Sequence, residues 1–202
     1  GLPVSNYTIG ADLLNQDLKE EVERLKKKVD IAAILGTSSM RHDACWGWKE
    51  GNVRGSHGLR NIVDRLAEGC REVSEYAKTK GIRTMVESHG TFLQDADRVE
   101  RLINTVNCDN FGWLCDMGNF LCADENPAVS YGKAAPYAFY AHAKDFILKS
   151  GNEPNPGDCF FQTRAGNYLR GTIIGHGVVP VKQCLQILKN NGYDGFIGVE
   201  FE

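Results

Sequence analysis

Several things are missing from this 202-residue sequence. No apolar run approaches the roughly 20 residues of a membrane-spanning helix. Basic residues are not in excess: 23 Lys and Arg stand against 26 Asp and Glu, and the net charge of −3 leaves no electrostatic footprint for nucleic acid. The seven cysteines are odd in number and form no C-x-x-C pair. That excludes a zinc knuckle and a disulfide framework. Most of them read as small core residues in a reducing compartment, so the expected location is the cytoplasm. The residues after Gly1 show no signal-peptide pattern. No glycine-rich dinucleotide turn follows the first strand-like stretch, which weakens an open Rossmann reading. No phosphate nest is visible either, so a phosphorylated substrate is not implied.

What is present is an alternation of short apolar stretches and amphipathic segments. Strands are expected over Pro3–Ile9, over Asp30–Leu35 running on to Met40, and over Ile82–Gly90, Phe111–Cys115, Ala138–Ala141, Thr172–Ile174 and the final stretch around Val199. Helices are expected over Asn15–Val29, Asn61–Lys80, Asp95–Val106, Asn126–Ala135 and Val181–Asn190. Leu18, Val22 and Leu25 share one face of the first helix, and Ile62, Leu66, Cys70 and Val73 share one of the second. Gly81 closes the second helix. Phe146–Arg170, with its Gly and Pro, reads as one extended loop. About seven strands alternating with helices imply a parallel sheet in an α/β protein. No linker divides the chain, so residues 1–202 read as one domain.

The strand ends carry the chemistry. Ile82 to Gly90 begins as an apolar strand and stops at Glu87, Ser88, His89 and Gly90. Asp116, His142 and Glu200 occupy equivalent places on later strands. The four are separated by 29, 26 and 58 residues, and one strand-helix unit spans roughly 30. They therefore fall on three successive strands and then skip one. In a closed barrel all four point into one mouth. Three carboxylates meeting there without counter-charge repel strongly, and a divalent cation relieves this. Oxygen ligands with a single imidazole suit manganese or magnesium, and next cobalt, iron or zinc. The ordinary alternative is that these groups cap helices or form surface ion pairs.

The runs V-E-S-H-G, C-D-M-G-N, H-A-K-D and Y-D-G-F-I-G-V-E-F-E resemble the xylose-isomerase-like barrels, in particular the sugar phosphate isomerase/epimerase group that includes ketose 3-epimerases. The resemblance covers the chain from Ile31 onward. It implies a (β/α)₈ TIM barrel, from which this chain lacks the first strand-helix unit and the last helix, since such a barrel needs about 250 residues. It implies one divalent metal, manganese first, held by Glu87, Asp116, His142 and Glu200. It also implies that Glu87 and Glu200 double as the acid/base pair.

Removing a proton beside a carbonyl needs a base, and charge stabilisation for the enediolate. Carboxylates on opposite faces of that plane give epimerisation; return of the proton to the neighbouring carbon gives aldose–ketose isomerisation. Loss of a hydroxyl instead gives a dehydratase of inositol-type ketones. Substrate contacts are expected from His89 and Lys144, each two residues beyond a ligand and so on the same side of an extended segment. Arg170, His176 and Trp46 are further candidates. For His89 the alternative is a loop-anchoring hydrogen bond, and Arg41, which can bind phosphate, reads more simply as a surface arginine.

Two other readings compete. A metal-dependent endonuclease of the same superfamily needs more histidines: Asn119 stands where one is expected, and no D-x-H precedes Gly175. A sugar-binding barrel without catalysis would not be expected to keep all four ligands. The implied partner is a small sugar or sugar derivative, with no nucleic acid and no membrane, and the fold leaves room for a homo-oligomer.

Overall fold

The computed structural model describes residues 2–49 and 58–201. Glu202, the last residue of the C-terminal motif, lies outside them. The architecture is the TIM-barrel fold, present as six parallel strands with their helices. Two compact units divide it: Gly1–Leu93 with Asp97–Leu114, and Gln94–Ala96 with Cys115–Glu202.

The first unit holds β1 (Tyr7–Ile9), α1 (Leu18–Leu35), β2 (Ser39–His42), α2 (Val63–Thr79), β3 (Arg83–Glu87), most of α3 (Ala96–Val106) and the start of β4 (Phe111–Asp116). Its strands pair in sequence order, all parallel. Every residue of β2 and β4 is buried, as expected of strands covered on both faces. Leu25, Met40, Leu66, Met85, Leu102 and Trp113 form the core.

The expected strand over Asp30–Leu35 is instead the last two turns of α1. Val22, Leu25, Val29 and Ala32 are buried at helical spacing, while Ile34 is 84% exposed. A short apolar run is ambiguous between strand and helix; here the stripe begun at Val22 continues in register. Gly36, at φ 73°, ends the helix in the left-handed conformation that glycine adopts without Cβ strain. The strand itself begins only at Ser39.

Glu21 ties α1 to the loop before it. Its carboxylate accepts the Asp12 N–H at 2.8 Å and is clamped by Arg24 at 2.7 and 2.8 Å. The Arg24 hydrogen bond holds this buried carboxyl below its ordinary 4.5, against burial. A depressed carboxyl stabilises the fold above its unfolded pKa, and that contribution is lost as pH falls through the folded value. Glu21→Gln is therefore expected to cost about 2 kcal/mol near neutral pH. The cost should shrink as the pH is lowered below the ordinary carboxylate range, where Glu21 is protonated in the folded state too. Denaturant unfolding near neutral pH and in acid checks this; an equal loss at both would contradict it.

The second unit contains the end of β4, α4 (Asn119–Cys122), α5 (Pro127–Ala134), β5 (Ala138–Ala143), β6 (Asp145–Lys149), β7 (Phe161–Gln162), β8 (Tyr168–Thr172), α6 (Val181–Asn190) and β9 (Ile197–Val199). β5 pairs parallel with β9. Met117 N–H, just past β4, donates to the His142 carbonyl at 3.0 Å.

Phe146–Arg170 is not one loop, and Thr172–Ile174 adds no strand to the parallel sheet. β6, β8 and β7 form a separate antiparallel sheet in that order. Phe146 and Leu169 are fully buried. Asp124 fastens the far end, accepting from Thr163, Asn167 and the Ala165 N–H. Beyond Thr172 the chain bends because Asp145 gathers it: the carboxylate accepts the N–H groups of Gly175, Gly177 and Val179 at 2.9, 2.8 and 3.0 Å.

Candidate metal centre

Three ligand-type side chains meet in the second unit. Asp116 is the last residue of β4. Its Oδ1 accepts the N–H groups of Gly118 and Asn119 at 2.7 and 2.9 Å, which fixes the carboxylate and turns Oδ2 away from the backbone. His142 lies on β5. Glu200 follows β9, and its N–H extends the parallel pairing by donating to the Ala143 carbonyl at 3.0 Å. One ligand atom from each of the three lies within 4.8 Å of the others. Gly198 sits opposite His142 in the β5–β9 register. A Cβ there would come within 3.0 Å of His142 Cδ2, so glycine makes room for the imidazole. Tyr140 meets the same ring edge-on at 5.6 Å.

Lys144 lies among these groups and is 2% exposed. Its Nζ is 3.1 Å from Glu200 Oε2 and 3.5 Å from Asp116 Oδ2, and it donates to Asn119 Oδ1 at 3.1 Å. His142 Nδ1 is 2.9 Å from Glu200 Oε2 and 3.6 Å from Asp116 Oδ2. The imidazole holds the Glu200 carboxyl far below its ordinary range, with Asp116 and the charge of Lys144 adding to it and burial opposing it. Yet neither Asp116 Oδ2 nor Glu200 Oε2 gains an aligned hydrogen bond. Buried oxygens of this kind cost free energy unless another partner takes them up. Two such oxygens beside an imidazole fit a divalent cation in donor type and spacing.

Glu87 belongs to the first unit, as the last residue of β3. It stands opposite Leu114 in the β3–β4 register. Arg41 is not at the surface, against expectation. It is 3% exposed, with Nε 2.8 Å from Glu87 Oε2 and Nη2 2.8 Å from Asp43 Oδ1. β2 places it inside, where its paired carboxylates offset the cost of burying a guanidinium. His89 makes an anchoring hydrogen bond, Nδ1 to Asp43 Oδ1 at 3.0 Å. Burial pushes the Asp43 carboxyl up, but His89 and Arg41 more than offset it and leave it below 3.8. Trp46 is 56% exposed and meets the His89 ring edge-on at 5.0 Å.

The remaining candidates lie in the second unit, on β8 and just beyond it. Arg170 pairs with Ile147 in the antiparallel sheet, its guanidinium 5.1 Å over the Phe160 ring. His176 is exposed in the following turn, its N–H bonded to the Ile173 carbonyl at 2.9 Å. Sequence reasoning did not single out Asp43, Asp145 or Gly198. Asp43 carried a signal, since it follows Arg41 and His42 directly after a buried strand. Asp145 and Gly198 are recognisable only through partners distant in sequence.

Residues 1–202 match the family model described as xylose isomerase-like TIM barrel. An inosose dehydratase of Lacticaseibacillus casei is 26% identical over 140 residues, covering 69% of this chain and 47% of that protein. The chain thus spans about half the length of the curated relatives it matches. A xylose isomerase-like TIM barrel protein from Mycobacterium smegmatis, solved in complex with magnesium, superposes with a TM-score of 0.75 at 20% identity, covering 100% of this chain and 67% of that one. A D-psicose 3-epimerase solved in the presence of D-fructose gives 0.71 at 15% identity, covering 98% and 64%. These structural likenesses carry the fold. No helix among the described residues is long and apolar enough to cross a membrane.

Proposed function

The chain belongs to the xylose isomerase-like TIM barrel family, and on that footing we propose a divalent-metal enzyme that removes the proton beside the carbonyl of a polyhydroxylated ketone, a sugar or a cyclitol. The observation that carries this reading is the meeting of Asp116, His142 and Glu200 around the buried Lys144. Glu87 is proposed as the fourth ligand. It is the last residue of β3, as Asp116 is of β4. Manganese or magnesium suits this donor set.

When bound, such an ion supplies positive charge to the ketone oxygen as negative charge develops there. Glu200 takes the proton from carbon. The Lys144 ammonium, held by Asn119 and Glu200, steadies a substrate oxygen as the electron density shifts. The hydroxyl on the next carbon then leaves as water, its C–O bond breaking as the new C=C bond forms and the protonated Glu200 returning its proton to the departing oxygen, which completes a dehydration. Curated relatives named inosose dehydratase support this outcome, and we take it as the first reading. Return of a proton to the opposite face by Glu87 completes an epimerisation. That second reading is the one the sequence motifs resemble, and the fold of D-psicose 3-epimerase accommodates it.

The test uses the full-length, metal-loaded protein with an inosose and with a ketohexose, each in D₂O. Dehydration appears as a new conjugated-carbonyl absorbance with release of water. Epimerisation appears as a second sugar carrying deuterium at the reacting carbon, without that absorbance. Neither product nor deuterium exchange with either ketone, across magnesium, manganese, cobalt and zinc, would sink the proposal.

A further inference from the structure

The loops after β2 and β3 carry a chain of contacts that ligation of a metal by Glu87 does not require. Arg41 bridges two carboxylates, Glu87 and Asp43, at 2.8 Å each. The Asp43 oxygen that meets Arg41 is also the one that meets His89 Nδ1 at 3.0 Å. The loops are laced together by backbone bonds as well. Trp46 O accepts the Thr91 and Phe92 N–H groups at 2.9 and 3.3 Å. Gly90, at φ 78°, allows the approach, since a Cβ there would lie 2.8 Å from that carbonyl oxygen. His89 is thus held by Asp43 on one side and by the Trp46 ring on another, while its side chain stays 38% exposed.

An ionised carboxylate accepts hydrogen bonds and donates none. A neutral imidazole facing it carries its proton on Nδ1, which leaves Nε2 as an acceptor. We propose that Asp43 is a positioning residue that holds His89 in the Nδ1–H tautomer, so that His89 Nε2 accepts the hydrogen of a substrate hydroxyl. Arg41 keeps Asp43 in place and ties it to Glu87, so hydroxyl recognition and the end of β3 are set by one rigid group. The ligand half of this inference rests on the polyhydroxylated-ketone reading above; the tautomer half does not. A site built to accept one hydroxyl discriminates against a substrate lacking it, because the acceptor is then left without a partner.

The test uses full-length protein labelled with ¹⁵N-histidine and loaded with diamagnetic magnesium or zinc. Two-bond ¹H–¹⁵N correlation above the ordinary histidine pH range reports each ring's tautomer. His89→Gln identifies the His89 signals. The wild type is expected to show Nδ1–H at His89. Asp43→Asn keeps an acceptor at this place: the oxygen that meets His89 is also the one that meets Arg41, a guanidinium only donates, and so the amide turns its oxygen there and His89 is expected to stay Nδ1–H. Asp43→Ala removes the acceptor and is expected to give a mixture of tautomers. In Asp43→Ala the KM for the ketone is expected to rise about tenfold, the size of one hydrogen bond, with kcat changed less, and Asp43→Asn is expected to rescue most of it. The KM of the analogue deoxygenated at the contacted position is expected to stay unchanged. An Nε2–H wild type, or a wild-type tautomer pattern in Asp43→Ala, overturns the positioning role. A shifted tautomer with unchanged KM overturns the substrate contact. Absence of turnover with every ketone overturns the proposed function and leaves the tautomer result standing on its own.

Discussion

Glu200→Gln is expected to lower turnover of the ketone substrate by about 10²- to 10⁴-fold, the usual weight of a positioned acid/base group. The protein should still fold. Glu200 is held at its place by the backbone, its N–H bonded to the Ala143 carbonyl beyond β9, and its side chain is 36% exposed. Gln keeps the shape and a carbonyl oxygen that ligates a metal weakly, but it has no basic oxygen to receive a proton. The two proposed roles of Glu200 separate under excess metal. If it serves only as a ligand, saturating manganese or magnesium restores the rate. If it also takes the proton, the metal returns and the rate does not. Elemental analysis, kcat and deuterium exchange on the same samples distinguish these. Exchange should fall in parallel with turnover, since both begin with proton removal. A variant with near wild-type kcat would remove Glu200 from the chemistry.

The parts of the fold that repeat were legible in the sequence. Glu87, Asp116, His142 and Glu200 are found where β3, β4, β5 and β9 end, because a buried parallel strand is a short apolar run and the first polar residue after it marks its mouth. Helix ends were legible where glycine takes the left-handed conformation, as Gly81 does at φ 70°. What escaped was set by partners far along the chain. Nothing local in Asp30–Leu35 says whether its apolar residues alternate across a strand or complete a helical stripe; packing on α2 decides. Arg41 looks like any surface arginine until β2 places it between Asp43 and Glu87. The antiparallel sheet after β5 is interrupted by Gly, Pro and polar residues. Its strands exist because Phe146 and Leu169 are buried and because Asp124 and Asp145 collect backbone N–H groups from the turns. The candidate site shows the same division. Its ligand types follow from spacing, whereas the orientation of Asp116 Oδ2 follows from the two N–H groups that occupy Oδ1.

Lys144→Met is expected to destabilise the metal-free protein by about 3–5 kcal/mol, the cost of removing one partner from a buried ion pair, while tightening its hold on a divalent cation. Lys144 is almost fully buried and Asp116 is fully so. With no metal bound, the ammonium is the fixed positive charge beside Asp116 Oδ2 and Glu200 Oε2, at 3.5 and 3.1 Å. Met fills much of the same volume against Phe146, whose ring lies 5.9 Å from Nζ, so the loss is electrostatic rather than a cavity. In a domain of this size that loss lowers the melting temperature by roughly 6–20 °C. A bound divalent cation supplies the missing charge and no longer shares its carboxylates with a neighbouring cation. The metal-induced rise in melting temperature should therefore be larger in Lys144→Met than in the wild type. The dissociation constant should fall about tenfold, equivalent to about 1.4 kcal/mol. Thermal unfolding with chelator and with a magnesium or manganese series, beside calorimetric titration, measures both quantities. An equal metal-induced rise in the two proteins would mean that Lys144 and the cation do not share ligands. The meeting of Asp116, His142 and Glu200 would then be an ion-pair network that braces the strand ends, and the metal would have to bind elsewhere.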